Sequence, residues 1–317
     1  MVKNILFRIQ TYPVEICLGA LAALSSGTMA VYIYRQNLMT ILADQSAHLN
    51  FARLLTDSMT PGISQLGIWP PLLHVVMTPA AMVPWLYQSG FAGYVSLVPF
   101  FVLSVVLFYR LLLSLFASAR IAIFGTLVYM TNPFILYYSA TPMMEILLLC
   151  FVVSTAYFCV QWIEHGQLRD LLFTGICIAL ASTARFEGLL LIPVVSAIVA
   201  LRLVKAKYSY DKIEATLILF WYLAGIGIAL LMVYDFVYFN NPLAFLGIGN
   251  APSWNLEHPV HGRDYLERPV MVFLHASYYM FGSVFVWLAL ISAILVGVLS
   301  QKRFRVLSAM RILAIPA

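Results

Sequence analysis

The sequence contains few charged residues, and this shortage sets the class of the protein. Asp, Glu, Lys and Arg make up only 10% of the 317 residues, whereas 62% are hydrophobic. A soluble domain carries roughly 25% charged residues, so the composition excludes a soluble protein and predicts an integral membrane protein. The ten-residue alternation of polar and apolar residues that is typical of a membrane β-barrel is also missing. We therefore expect an all-α polytopic protein whose spans are helices.

Cysteine is scarce too, and the positions of the cysteines do not indicate a disulfide or a metal site. All four cysteines lie inside apolar segments without the spacing of a metal site: Cys17, Cys150, Cys159 and Cys177. This pattern argues against a disulfide framework or a zinc–thiolate site and favours small buried side chains. The net charge of +5 comes from basic residues that cluster between apolar segments. It therefore indicates membrane topology and no nucleic-acid partner.

Long apolar runs predict the membrane spans, each of which needs about 20 residues. They lie at about 14–34, 91–112, 121–140, 143–162, 171–185, 187–204, 215–238 and 270–299, and a last span begins near 306. The first run is too long for a cleaved signal sequence, so we interpret it as an uncleaved anchor. Residues 1–317 then form a single transmembrane domain. Because the last span stops at Ala317, we expect a truncated C-terminus.

One apolar piece, residues 69–88, is not predicted to span the membrane. It carries four prolines, each of which removes a hydrogen-bond donor and clashes with the preceding helical turn. We interpret it as a broken, interfacial or re-entrant segment. With this layout, thirteen of the eighteen Lys and Arg residues face the cytoplasm, in agreement with the positive-inside rule. The N-terminus is then cytoplasmic in a cell or inner membrane, and two polar loops, 35–68 and 239–269, face outward.

The first outer loop contains the most informative polar cluster. Asp44 and His48 are four residues apart, so they share one face of a helix, and Arg53 follows. An aspartate in this position is a candidate general base, and an Asp–His pair is also suited to holding a divalent cation. A simpler alternative is that Asp44 caps a helix over 45–57. His74, after two prolines, faces either an outer cavity or the membrane interface, and we favour the interface.

Three ionisable residues lie at the outer ends of later spans. Arg185 and Glu187 separate two short apolar runs, and Glu145 opens an earlier span. Ionisable groups at membrane depth usually line a site or pathway, so Arg185 is a candidate ligand for an anion such as a lipid phosphate. An ion pair of Arg185 with Glu187 or Glu145 that holds helices together is an equally good interpretation. Glu145 in a first helical turn is also favoured by the helix dipole alone.

The second outer loop adds two candidate substrate-binding residues, His258 and Arg263, which lie close to Trp254. Mixed aromatic and polar side chains suit a sugar or a lipid headgroup. An ordinary solvated loop has the same composition, so both interpretations stay open.

Several short motifs follow one another in a recognisable order. They are Asp44 with His48, Pro61-Gly62, Trp69-Pro70-Pro71-Leu72, Thr141-Pro142 with Glu145, and Arg185-Phe186-Glu187-Gly188. Their order and the predicted topology resemble the GT-C superfamily of membrane glycosyltransferases, which includes the protein O-mannosyltransferases and the bacterial aminoarabinose transferases. The resemblance implies a GT-C-like helical bundle whose first outer loop carries a catalytic carboxylate. Many relatives have Asp-Glu in that loop, whereas this chain has Asp44-Gln45.

The resemblance also implies a reaction. A hexose or pentose passes from a polyprenyl-phosphate carrier, with inversion, to a lipid, glycan or protein acceptor at the outer face of a membrane whose lipids surround the protein. Asp44 is then the catalytic base, and the candidate substrate-binding residues are His48, Arg53, Glu145, Arg185, Glu187, His258 and Arg263. No metal ligands are assigned, and Gln45 leaves open whether a divalent cation is required. The alternatives are a transporter or lipid flippase, which the lack of internal repeats disfavours, and a non-catalytic scaffold subunit.

Overall fold

The computed structural model describes residues 2–66 and 69–245. In these ranges the chain forms twelve α-helices and two short 3-10 turns and contains no β-strand, which confirms the all-α fold. The helices are α1 Val2–Arg35, α2 Ala43–Leu54, α3 Leu72–Ala81, α4 Pro84–Ser89, α5 Phe91–Phe116, α6 Ala119–Met130, α7 Pro133–Ala140, α8 Glu145–His165, α9 Leu168–Ala184, α10 Leu191–Lys205, α11 Tyr210–Ala224 and α12 Ile226–Phe239. The 3-10 turns cover Ile63–Leu66 and Phe186–Leu190.

Four helical segments are long and apolar enough to cross a membrane on their own. They cover Pro13–Arg35, Phe91–Phe116, Glu145–His165 and Phe186–Lys205, and two bent helix pairs bring the number to as many as six. The chain is therefore a polytopic membrane protein, as predicted. α9, with 17 residues, lies between two of these segments. The predicted spans at 270–299 and from 306, and most of the loop 239–269, lie outside the described residues.

Two of the predicted spans are bent, which their apolar pattern alone does not indicate. The span predicted at 121–140 is divided into α6 and α7, which meet at 60°. Asn132 caps the first turn of α7 through its side-chain oxygen, and Pro133 is the first residue of that helix. Proline suits a first helical position but cannot continue the preceding helix. The span predicted at 215–238 bends by 46° where Gly225 separates α11 from α12.

The proline-rich segment after the first outer loop is broken, as predicted. Pro71 directly precedes α3, and Pro84 is the first residue of α4. With 10 and 6 residues, these helices are too short to cross a membrane, which requires about 20 residues. Their location at the membrane interface stays a prediction.

The core of the bundle lies where α5 packs against α8, while α1 packs on α5 and α9 packs on α8. Phe101 and Leu147 are fully buried in this core. Gly93 allows the connection before α8 to lie directly on α5, because a Cβ at this position would be 2.5 Å from the backbone nitrogen of Pro142. This close approach fixes the start of α8, where Glu145 lies.

Chain direction alternates from span to span. The end of α1, helices α2 to α4, the start of α8 and the end of α9 therefore lie at the same end of the bundle. An ion pair ties two spans together near the opposite end. Arg110 of α5 donates to both carboxylate oxygens of Glu15 in α1, over 2.9 and 2.6 Å. Glu15 is only 8% exposed, so its side of the ion pair is buried in the bundle.

Candidate active site

Asp44 lies in the first turn of α2 and is exposed to solvent. The helix begins at Ala43 with Leu42 as its N-cap residue, so the alternative in which Asp44 caps a helix over 45–57 is wrong. The position suits a carboxylate, because the free N–H groups of a helix N-terminus favour negative charge. Within the described residues the Asp44 carboxylate has no hydrogen bond and no ion pair. The carboxylate is therefore accessible and not bound to another group in this part of the chain.

Gln45 holds this first turn of α2 on the bundle. Its side chain is completely buried. Its Oε1 accepts a hydrogen bond from the backbone N–H of Leu42 over 3.0 Å, and its Nε2 donates to the hydroxyl of Tyr137 over 2.7 Å. The amide thus pairs an N–H group that a helix start leaves free, and it connects α2 to α7. The residue that departs from the Asp-Glu pattern therefore has a structural role.

One turn after Asp44, His48 is buried against a second histidine. His48 Nδ1 and His74 Nε2 are 3.1 Å apart, and their hydrogen bond joins α2 to α3. Trp69 packs edge-on against the His48 ring at a centroid distance of 5.2 Å, and Phe51 packs in the same way against His74 at 5.7 Å. Because His74 is fully buried, the expectation that it faces the membrane interface is wrong.

Burial keeps both imidazole rings neutral. It lowers the pKa of His48 to about 4, although the Asp44 carboxylate opposes this shift, while the Arg185 guanidinium adds to it. Burial, with His48 as a neighbour, lowers the pKa of His74 to about 3. At neutral pH the two rings are therefore joined as uncharged groups, one donating and one accepting.

Arg185 is shared by two carboxylates. Its Nη1 donates to Oε1 of Glu145 over 2.6 Å, and its Nη2 donates to Oε1 of Glu187 over 2.8 Å. The Arg185 and Glu145 side chains are 28% and 23% exposed, whereas Glu187 is 54% exposed. The second carboxylate oxygen of Glu145 is buried and has no hydrogen-bond partner in the part of the chain that the structure describes. Both ion pairs considered from the sequence are present, and anion binding by Arg185 stays a prediction.

The backbone around Arg185 explains this arrangement. α9 ends at Ala184, and Arg185 adopts an extended conformation before the 3-10 turn begins. Gly188 allows the turn to fold back on α9, because a Cβ there would overlap the backbone of Ala181. The turn therefore presents Glu187 to the guanidinium two residues earlier.

These groups from three parts of the chain meet at one end of the bundle. The Asp44 carboxylate acts electrostatically on both His48 and Glu145, and Arg185 acts on His48. Asp44 and His48 belong to α2, Glu145 begins α8, and Arg185 follows α9. With Glu187 bound to Arg185, the cluster contains three carboxylates and one guanidinium. The structure thus brings together five of the predicted site residues.

Arg53 lies apart from this cluster. It is nine residues beyond Asp44 on α2, which is roughly 13 Å along the helix axis and half a turn around it. Its guanidinium is 2.7 Å from the Asp57 carboxylate and lies over the ring of Tyr87, 4.6 Å from the ring centroid. With Asn50, these side chains line an open groove of about 270 Å³. A substrate role for Arg53, which stays a prediction, would involve this groove.

The structure does not test the remaining predictions, which concern two residues of the second outer loop and a divalent cation. His258 and Arg263 lie outside the described residues. Among residues 2–66 and 69–245, no three His, Cys, Asp or Glu side chains are grouped so as to hold a metal ion. We therefore do not assign a divalent-cation site in this part of the chain.

Two neighbours of the site, His74 and Tyr137, were not singled out as site residues from the sequence. The position of His74 soon after Pro70-Pro71 does indicate a polar group in the first turn of a helix. Its contact with His48, however, joins two separate helices. Tyr137 is 92 residues from Gln45, and no local pattern connects the two positions.

Comparison with known proteins identifies the class. Residues 86–238 match the family model described as dolichyl-phosphate-mannose-protein mannosyltransferase. The match is a little under half of the chain and includes Glu145, Arg185 and Glu187, whereas Asp44 and His48 precede it. No curated protein and no solved structure matches the chain.

The helical bundle and this match define a membrane glycosyltransferase that uses a lipid-linked sugar. Over residues 86–238 the chain is similar to the dolichyl-phosphate-mannose-protein mannosyltransferases, and this similarity supports a glycosyltransferase of the GT-C type. The resemblance found in its motifs is therefore confirmed.

Proposed function

We propose that the chain transfers a sugar from a polyprenyl-phosphate carrier to a hydroxyl group of a lipid, glycan or protein at the outer face of the membrane, with Asp44 as the catalytic base. The observation that carries the proposal is the position of Asp44. It is exposed, free of hydrogen bonds within the described residues, and coupled electrostatically to His48 and Glu145. A general base must be reachable by the acceptor and must not be bound to another group.

The distribution of charge supports an outer-face site. Within the described residues, the end of the bundle away from Asp44 carries most of the basic residues, among them Arg120, Arg169, Lys205 and Lys207. Since such residues collect on the cytoplasmic side, the end with Asp44 faces outward. The N-terminus of α1 is then cytoplasmic.

The reaction proposed is a single displacement at the anomeric carbon of the sugar. The acceptor oxygen attacks this carbon from the side opposite the phosphate, and the bond between the anomeric carbon and the phosphate oxygen breaks. The electron pair of that bond leaves with the polyprenyl phosphate, and the proton of the acceptor hydroxyl passes to Asp44. One displacement inverts the anomeric configuration, and holding both substrates in one site removes much of the entropic barrier.

Arg185 is the proposed partner of the departing phosphate. A guanidinium has five N–H donors, and Arg185 uses its Nε and one N–H on each of Nη1 and Nη2 for the two glutamates. Two N–H groups therefore remain for phosphate oxygens. Glu145 and Glu187 keep the guanidinium in place, and charge-assisted hydrogen bonds of this kind stabilise a developing anion.

Substitution of Asp44 tests the proposal. We would reconstitute the full chain in vesicles and measure transfer of radiolabelled mannose from dolichyl phosphate, and of hexoses and pentoses from other polyprenyl phosphates, to Ser/Thr peptides and glycans. Asp44→Asn should abolish transfer, which means a loss of at least about 100-fold in kcat. Asp211→Asn is the matched control, because Asp211 is also an exposed aspartate in the first turn of a helix, α11, but lies at the other end of the bundle.

Full transfer by Asp44→Asn would overturn the assignment of the base. The anomeric configuration of the product, determined by NMR, tests the displacement separately, since retention would exclude a single inverting step. Labelled product on the side of the vesicle that holds the N-terminus would contradict the outer-face location.

A further inference from the structure

The hydrogen bond between His48 and His74 requires one ring to donate and the other to accept. Because both rings are neutral at neutral pH, each ring carries one N–H group. The contact joins His48 Nδ1 and His74 Nε2 over 3.1 Å. Two arrangements satisfy it, and they differ in the nitrogen of His48 that keeps the proton.

The surroundings of the two outer nitrogens distinguish these arrangements. His74 Nδ1 is buried and has no hydrogen-bond partner among the described residues. If His74 Nε2 accepted from His48, the proton of His74 would be on this buried nitrogen as an unpaired N–H. Unpaired buried N–H groups are rarer in native structures than unpaired acceptors. The arrangement in which His74 Nε2 donates is therefore preferred.

The accessibility of His48 Nε2 favours the same arrangement. His48 Nε2 has no partner in the described part of the chain and is not among its buried unpaired atoms, so it reaches the accessible surface. A proton on this nitrogen therefore leaves no buried N–H group unpaired. The Asp44 carboxylate, whose charge acts on His48, lies on the same face of the helix.

We infer that His74 is a positioning residue: its Nε2–H donates to Nδ1 of His48, and this bond fixes the proton of His48 on Nε2, on the helix face that carries Asp44. His48 then presents an N–H donor to the site and has no lone pair there with which to act as a base. Edge-on packing of Trp69 and Phe51 restricts rotation of the two rings.

The catalytic consequence rests on the proposed function, although the tautomer does not. A neutral N–H donor beside Asp44 suits an oxygen of the sugar phosphate, and it stabilises charge that develops there without taking up a proton. Asp44 remains the group that accepts the proton. The pair of histidines thus separates the donor from the base.

The tautomer is measured by nitrogen-15 NMR of the full chain in nanodiscs, with histidine labelled in the ring. The chain has six histidines, and the signals of His48 are those that disappear in His48→Asn. We expect Nε2 of His48 to carry the proton and Nδ1 to be unprotonated. His74→Gln keeps an N–H donor at a similar reach and should preserve this pattern, whereas His74→Phe keeps a ring without a donor and should produce a mixture of tautomers.

A proton on Nδ1 of His48 in the unmodified chain would overturn the inference, and so would an unchanged pattern in His74→Phe. If His74→Phe does not fold, the spectra of the unmodified chain and of His74→Gln still decide the question. A purely structural role for His74 would lower stability and leave the tautomer of His48 as it is.

Transfer assays add a second readout. His74→Phe should lower kcat roughly tenfold with little change in KM, because it weakens one hydrogen-bond donor of the site, and His74→Gln should restore most of the activity. If Asp44→Asn transfers sugar normally while the NMR pattern is as expected, the proposed function fails and this inference stands. The reverse outcome overturns only the role of His74.

Discussion

Gln45 donates a hydrogen bond of 2.7 Å to the hydroxyl of Tyr137, and this bond connects the first turn of α2 to α7. Asp44 is the residue immediately before Gln45 and has no comparable bond of its own within the described residues. The position of the proposed base therefore depends on a neutral amide next to it. A carboxylate in place of Gln45 would add a negative charge beside Asp44, whereas the amide does not.

Removal of the Tyr137 hydroxyl tests this dependence. Tyr137→Phe leaves Nε2 of the buried Gln45 without an acceptor, and an unpaired buried donor costs about 1–3 kcal/mol. We expect lower thermal stability of the purified protein and a fall in kcat for sugar transfer. Tyr32→Phe on α1, where the tyrosine is 60% exposed, is the control and should have little effect. Unchanged activity and stability in Tyr137→Phe would show that the bond does not position Asp44.

Replacement of Arg185 by lysine tests the role of its planar guanidinium. Lysine keeps the charge but cannot donate in a fixed fork to Glu145 and Glu187 together. We expect Arg185→Lys to reduce the free energy of unfolding by on the order of 1–2 kcal/mol. We also expect it to lower kcat for sugar transfer by a factor that, expressed as a free energy, is larger than this loss. Arg202→Lys is a matched control, because Arg202 is also a partly buried arginine but lies at the other end of the bundle, where it donates to the carbonyl oxygen of Ile163.

Full sugar transfer by Arg185→Lys would contradict the proposed phosphate contact. Equal losses of transfer in Arg185→Lys and Arg202→Lys would mean that the effect is not specific to the site. A loss of stability without a change in kcat would leave Arg185 as a connection between helices only.

The ion pair between Arg110 and Glu15 is predicted to stabilise the other end of the bundle. Arg110→Gln leaves a carboxylate that is only 8% exposed without its bidentate partner, and we expect a loss of about 2 kcal/mol, since Arg110 itself is partly exposed. The double variant Glu15→Gln/Arg110→Gln should recover part of this loss, because no buried charge remains. Unfolding of the unmodified chain, Arg110→Gln, Glu15→Gln and the double variant in detergent measures the coupling between the two residues. Additive effects of the two single substitutions would contradict a stabilising ion pair.

The sequence predicted which polar residues lie close together better than it predicted the contacts between helices. Asp44 and His48 share a helix face because of their spacing, and the pairing of Arg185 with glutamate follows from the scarcity of other charges near it. The bend at Asn132-Pro133 was not predicted, although proline at a helix start is a local signal. The contacts of Gln45 with Tyr137 and of His48 with His74 depend on how separate helices pack. Apolar periodicity defines which face of a helix is buried but not which neighbour it meets.

Acid should destabilise the protein through the two buried histidines. Their pKa values in the folded chain, about 4 for His48 and about 3 for His74, are below the value of 6.5 for free histidine. Below about pH 6.5 the unfolded chain therefore binds more protons, so the stability that is fully present above this pH is lost as the pH falls toward about 4 and then about 3. The charges that act on His48 are those of Asp44 and Arg185, and the histidine neighbour of His74 is His48.

Thermal unfolding midpoints measured from about pH 7.5 to about pH 4.5 check this prediction. The unfolding temperature of the double variant His48→Gln/His74→Gln should depend less steeply on pH than that of the unmodified chain, because the two buried histidines are absent. The contribution of the carboxylates is the same in both proteins. His165→Gln, which removes an exposed histidine at the end of α8, should keep the original slope. Equal slopes in all three proteins would mean that the buried pair takes up protons as readily as free histidine, and hence that His48 is not held neutral beside Asp44.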